Sequence, residues 1–143
     1  MAEGKQTDLE KYKKIIADVV RDIGLNPDEC YNEQGNYWTL YKGSATVYVS
    51  LFTIDRPDEP PEWYIEFSSP VMQIPSTYLL AFYRRLLEEN ADRIALKFAL
   101  REDTVWMEIT RELEGLSFDE CHRNLTRIGE TADELDDILK DEF

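Results

Sequence analysis

The sequence is poor in the residues that most enzymes place at their centres. Of its 143 residues, one is histidine and two are cysteine. Cys30 and Cys121 stand far apart, so no Cys-x-x-Cys pair exists for zinc or dithiol chemistry. The six glycines are scattered, which leaves no glycine-rich loop to cradle a phosphate. The GxGxxG, P-loop, HExxH and GxSxG patterns are all missing. No apolar run approaches the ~18 residues that cross a bilayer. The opening MAEGKQTDLEKYKK has no apolar stretch of the secretory kind. With two cysteines and no disulfide framework, a cytoplasmic protein with reduced thiols is expected. Positive charge is scarce too: 16 Lys and Arg face 30 Asp and Glu, for a net charge of −14. Such a surface repels phosphate backbones and anionic lipid, so neither nucleic acid nor a membrane is an expected partner. A basic partner suits it, as does acidity for solubility alone.

What the chain does have is apolar and aromatic material. It is 43% hydrophobic and 12% aromatic, enough to fold. Its length suits one domain, 1–143, with a core over about 7–140. The acid is uneven: residues 1–25 balance five acids with five bases, whereas 130–143 carry seven acids and one lysine.

Hydrophobic periodicity yields the elements. Thr7-Asp8-Leu9-Glu10 reads as a capping box, and Leu9, Tyr12, Ile16, Val19 and Ile23 line one helical face up to Gly24. Strands are expected over Tyr37–Tyr41, Ala45–Ile54 and Trp63–Ser69, with a turn at Lys42-Gly43-Ser44 and an exposed loop at IDRPDEPPE. A second helix is expected over Tyr78–Glu89, ending at Asn90 in a left-handed C-cap. Two strands follow. In Ile94–Arg101 the alternation puts Ile94, Leu96, Phe98 and Leu100 on one face and Ala95, Lys97 and Ala99 on the other. Thr104–Glu112 returns with Trp106 on the side of Ala95 and Ala99. Finally, Ser117-Phe118-Asp119-Glu120 caps a long helix whose stripe runs Phe118, Cys121, Leu125, Ile128, Ala132, Leu135, Leu139 through Gly129. The order α-β-β-β-α-β-β-α predicts an α+β single domain with a mostly antiparallel five-stranded sheet packed with helices.

Cys121-His122 is the one pair that suggests nucleophilic chemistry. Adjacent helical residues point about 100° apart, and Cys121 falls on the apolar stripe, so a core cysteine beside a surface histidine is expected. The carboxylates of 130–143 lack the Asp-x-Asp-x-Asp-Gly geometry of a calcium loop. No catalytic residue, metal or cofactor is expected. The aromatics carry more: three Trp, eight Tyr and six Phe are many for this length, and the large residues of the strands point to both faces of the predicted sheet. A second aromatic face suggests a protein–protein surface, unless the last helix or the 54–62 loop covers it. Tyr37, Tyr48, Phe52 and Tyr64 are the candidates for a partner surface, and Tyr83, Ala95, Ala99 and Trp106 for self-association.

The block YLLAFYRRLLEENADRIALKFALREDTVWMEI (Tyr78–Ile109) resembles the YbjN-domain family of small bacterial proteins, placed with the type III secretion chaperone-like fold. The resemblance rests on the leucine-rich helix Leu79–Leu87, Asn90, the gap Ala91–Arg93, the strand Ile94–Leu100, the turn Glu102-Asp103 and the strand Val105–Ile109. The helix start at Leu116–Glu120 is similar as well. The resemblance implies a dimeric α+β domain without known catalytic residues, of a family described as sensory or stress regulators. Secretion chaperones of this fold are small, acidic and dimeric, and hold an extended client segment. Together these readings predict a non-enzymatic protein-binding module, chaperone-like or regulatory, acting as a homodimer on a protein client. The alternative is a small-ligand or enzymatic domain with a pocket between sheet and helices.

Overall fold

The computed structural model describes residues 7–143; the residues before Thr7, part of the opening read above against a secretory signal, lie outside that range. Helix α1 spans Leu9–Asp22. Its cap is Asp8 rather than Thr7: the Asp8 carboxylate accepts the Lys11 N–H at 3.2 Å. At its end Gly24, at φ 92°, donates to the Arg21 carbonyl while Leu25 donates to Val20, the paired bonds of a Schellman motif. Two short elements then appear that no periodicity can announce, helix α2 (Pro27–Cys30) and strand β1 (Tyr31–Asn32). Strands β2 (Tyr37–Lys42) and β3 (Ala45–Ile54) form the expected hairpin. Its tip is tied down from below, where Asp133 of the last helix accepts the Ser44 N–H at 3.2 Å.

Strand β4 covers Glu62–Gln73, four residues beyond the expected Ser69. Pro70 lies past the last β3–β4 pair, Tyr48 with Ser68, and the β6 register slips between Pro70 and Met72. Proline is thus tolerated where one side needs no donor and a bulge absorbs the irregularity. Helix α3 (Leu79–Asp92), strand β5 (Lys97–Arg101), strand β6 (Thr104–Glu112) and helix α4 (Phe118–Glu142) complete the chain. The sheet has six strands, not five, in the order β1-β2-β3-β4-β6-β5, and every pairing is antiparallel.

α4 is one helix through Gly129, opened by the Ser117 hydroxyl accepting the Glu120 N–H at 3.1 Å. Gly129 has a packing reason: a Cβ there would stand 2.8 Å from Cδ of Lys42, whose stem crosses the helix. Six residues of the predicted stripe, Cys121, Leu125, Ile128, Ala132, Leu135 and Leu139, are buried, and only Phe118 at the start stays outside. They lie against β2, β3, β4 and β6 and against α1. Alternation along β3 is complete: Ala45, Val47, Val49 and Leu51 are buried, and Thr46, Tyr48, Ser50 and Phe52 are half-buried.

The helix-to-strand corner differs from expectation. Asn90 lies inside α3, and its backbone is right-handed. Its side chain accepts the Phe98 N–H at 2.6 Å and donates to the Phe98 carbonyl at 3.3 Å. The amide thereby copies one residue of a neighbouring strand and closes the outer edge of β5. The left-handed residue is Ala95, at φ 66°, a conformation costing ~1 kcal/mol for a residue with a Cβ. That twist delays β5 to Lys97 and leaves Ile94 87% exposed, so Ile94 is not the core residue its alternation implied. Leu100 is largely outside as well. Replacing Asn90 by Ala orphans a half-buried N–H and C=O together. It is expected to lower the unfolding free energy by about 1–3 kcal/mol. In hydrogen exchange the Phe98 amide should lose protection ahead of β6; unchanged protection would show the clasp to be dispensable.

Candidate protein-interaction surface

All the apolar cover of the sheet lies on one side. The other face consists of alternate residues of β2, β3, β4, β6 and β5, and most of them remain partly exposed, Ser68 and Glu108 being the buried ones at its centre. The register sets Tyr48 between Thr39 and Ser68, Phe52 opposite Tyr64, and Trp106 between Pro70 and Ala99. Two aromatic groups result. Tyr37 meets Tyr48 edge-on at 6.4 Å between ring centres, and Tyr48 meets Trp106 at 5.7 Å. Phe52 and Tyr64 stack at 5.9 Å toward the other end. The four partner-surface candidates Tyr37, Tyr48, Phe52 and Tyr64 therefore share one face, and α4 does not cover it. The 55–61 loop is itself exposed.

Charge is organised on the same face. The Arg101 guanidinium of β5 lies 4.4 Å from the Trp106 ring centre. It donates to Glu108 at 2.8 Å and also to Glu66, whose other oxygen accepts the Thr110 hydroxyl at 3.2 Å. Glu108 is buried beneath this arrangement, at 8% exposure. A guanidinium stacked on indole and held by carboxylates fixes Trp106 in place.

The self-association candidates are not brought together. Ala99 and Trp106 lie on the open face, opposite one another. Ala95 has left the strand and shares no face with Trp106. Tyr83 lies on α3, packed at the edge of the core beside Phe82 at 6.1 Å. The apolar surface of α3 itself was missed: Leu80 is 87% and Leu87 67% exposed, seven residues apart on one side, with Ile94 beyond the helix end. The signal lay in the width of the stripe, since Leu79, Leu80, Phe82, Tyr83, Leu86 and Leu87 are more than one core face can use. A further feature is the outer edge of β2. β1 pairs only with Tyr37 and Trp38, which leaves Thr39–Lys42 unpaired on that side among the described residues. Beside this edge lies a cavity of about 190 Å³ lined by Ile23, Leu25, Leu40, Val47 and Leu125.

A six-stranded antiparallel sheet with its helices on one face and an open aromatic second face defines an α+β domain of the type III secretion chaperone-like fold. The chain belongs to the YbjN family, described as "putative bacterial sensory transduction regulator", which matches residues 13–140. It is similar to a chain in the crystal structure of the ExsC–ExsE complex, at TM-score 0.66 and 17% identity over 94% of this chain and 97% of that one. It is also similar to a chain of the HopA1–SchA chaperone–effector complex, at TM-score 0.63 and 13% identity over 90% and 97%. At these identities the likeness is one of fold. No curated protein matches the chain. No helix among the described residues is long and apolar enough to cross a membrane.

Cys121 and His122 do not form a dyad. Cys121 is fully buried, and burial, with the Glu120 carboxylate next to it, pushes its thiol up to about 12. His122 turns outward, with Nε2 3.1 Å from Asp22 and its ring stacked on Phe118 at 6.0 Å. The hollow it lines, about 650 Å³ with Asp22, Asp119, Arg123 and Arg127, is a surface groove, and Cys121 takes no part in it. The other thiol, Cys30, is half-exposed and raised by burial and by Glu29. The native protein should therefore react with a thiol reagent at Cys30 alone, more slowly than free cysteine, and at Cys121 only after unfolding. Rapid native labelling of Cys121 would contradict this packing.

Proposed function

We propose that the protein is a non-catalytic, cytoplasmic protein-binding module, a chaperone-like or regulatory adaptor that works as a homodimer. The observation that carries this is the second sheet face: an aromatic surface, ordered by ring contacts and an ion cluster, that no helix among the described residues covers. Rigid aromatic surface of this kind is the usual anchor of protein recognition. The unpaired β2 edge beside an apolar cavity suits an extended partner segment, which can add main-chain bonds while one side chain enters the cavity. Membership of a family described as regulatory, and a fold shared with chains found in complexes with proteins, support the same reading.

Self-association belongs on α3. Leu80 and Leu87 are apolar side chains that a single copy leaves in water on one side of this helix, and Ile94 is a third exposed one just past its end. Ala99 and Trp106 belong instead with the partner face. By light scattering the protein should be a dimer, and Leu87→Glu should make it a folded monomer; a monomeric wild-type chain removes the dimer. In capture from extracts of the source cells, Tyr48→Asp should lower retention of the specific partner about tenfold or more. An unchanged set of retained proteins would place the binding surface elsewhere.

A further inference from the structure

The open face carries a charge pattern as well as rings. Its four carboxylates, Glu62, Glu66, Glu108 and Glu112, all stand on the neighbouring strands β4 and β6, which also carry Tyr64 and Trp106. Its only cations among the described strands are Lys97 and Arg101, both on the edge strand β5. Arg56, from the exposed loop, reaches Glu62 at 3.4 Å. Glu112 has no cation within ion-pair distance among the described residues, although Tyr64 stands opposite it. What this surface does with a guanidinium is already visible in the chain: it stacks Arg101 on Trp106 and holds it with two carboxylates.

We infer that the segment taken on this face is basic, an extended stretch in which Arg or Lys alternates with apolar residues. The inference rests on the reading of the face as a protein-docking surface and specifies what docks there. In an extended segment every second side chain points the same way, at a spacing of about 6.8 Å. The basic side chains then all face the sheet, where they can meet the carboxylates and stack on the Tyr48–Trp106 and Phe52–Tyr64 rings as Arg101 does on Trp106, while the intervening apolar side chains point away. Arginine suits the site better than lysine, since its planar group both stacks and pairs in fork geometry. A second copy of this chain fits poorly: stacking two such faces would set four carboxylates against four, while Arg101 is already held by Glu66 and Glu108 of its own face and Lys97 is the one other strand cation each copy brings among the described residues. So does an acidic segment, which the same row repels.

The test uses the full chain, isotopically labelled, and three synthetic peptides of about eight residues with alternating Arg–Val, Thr–Val and Glu–Val. The Arg–Val peptide should shift the Trp106 indole N–H and the amides of β4 and β6, with affinity about tenfold above Thr–Val at low salt. That advantage should fade as ionic strength rises. Glu–Val should give no shifts. Glu112→Gln should reduce the Arg–Val advantage severalfold, and Glu66→Gln with Glu112→Gln should bring it down to the Thr–Val level, with Trp106 fluorescence checking that the face is intact. Equal binding of Arg–Val and Thr–Val overturns the basic segment and leaves the docking face standing. Shifts confined to the acidic end of α4 overturn it too, as mere charge attraction. If no peptide moves any residue of the face, the inference and the docking surface fall together.

Discussion

The apolar stripe of α4 is the interaction on which the rest of the structure depends. Six of its side chains are buried in one unbroken line over β2, β3, β4 and β6. Full burial of a single Leu or Ile contributes roughly 1.5–3 kcal/mol, so the stripe together outweighs any polar contact in the molecule, each worth about 1 kcal/mol net. It also positions the other two long helices. α1 packs along α4, and the Tyr12 hydroxyl accepts the Gly115 N–H at 2.9 Å just ahead of it. At the far end Phe143 meets Phe82 of α3 at 5.1 Å, and Arg85 pairs with Glu142 at 2.8 Å.

Because that cover is one-sided, the second face of the sheet has to be stable in water by other means. An antiparallel sheet can show one face to solvent, ordinarily a polar one. Here the outward row is aromatic, and carboxylates between the rings supply the hydration. The ion cluster over Trp106 has the same effect locally: Arg101 shields the indole while keeping its own charge at the surface. The excess of acid is thus partly a property of this face, and not only of the acidic end of α4.

How much of this could be read in the sequence follows from where each signal originates. β3, β6 and the stripe of α4 were legible because burial itself writes their period, and the register confirms Val47 with Leu40 inside and Tyr48 outside. Pro70 hid the end of β4, since a proline reads as a stop unless the missing β3 partner is known. α2 and β1 are too short to carry a period. Asn90 was misread for a physical reason: its type permits a left-handed cap, but two bonds to Phe98, eight residues on, are worth more than the local preference. The left-handed turn then fell on Ala95, a residue no propensity would select. The aromatic face was legible from alternation alone. That no helix among the described residues covers it was not, because the side on which helices pack is decided by contacts between distant segments.

The two edges of the sheet are treated differently, and this gives the molecule a direction. At β5 the Asn90 amide occupies the bonding groups of Phe98, and α3 stands alongside, so an incoming strand finds that edge taken. At β2 the groups of Thr39–Lys42 are left open beyond the two residues of β1. Unprotected edges invite unwanted pairing and are usually blunted; one sealed edge and one open edge therefore point to selective use of the open one. The apolar patch of α3 lies at the sealed end. A dimer joined through α3 would keep both β2 edges and both aromatic faces outside the joint. Two such faces on one particle raise the effective concentration of the second for a partner already held by the first, so weak single contacts can add up to firm retention.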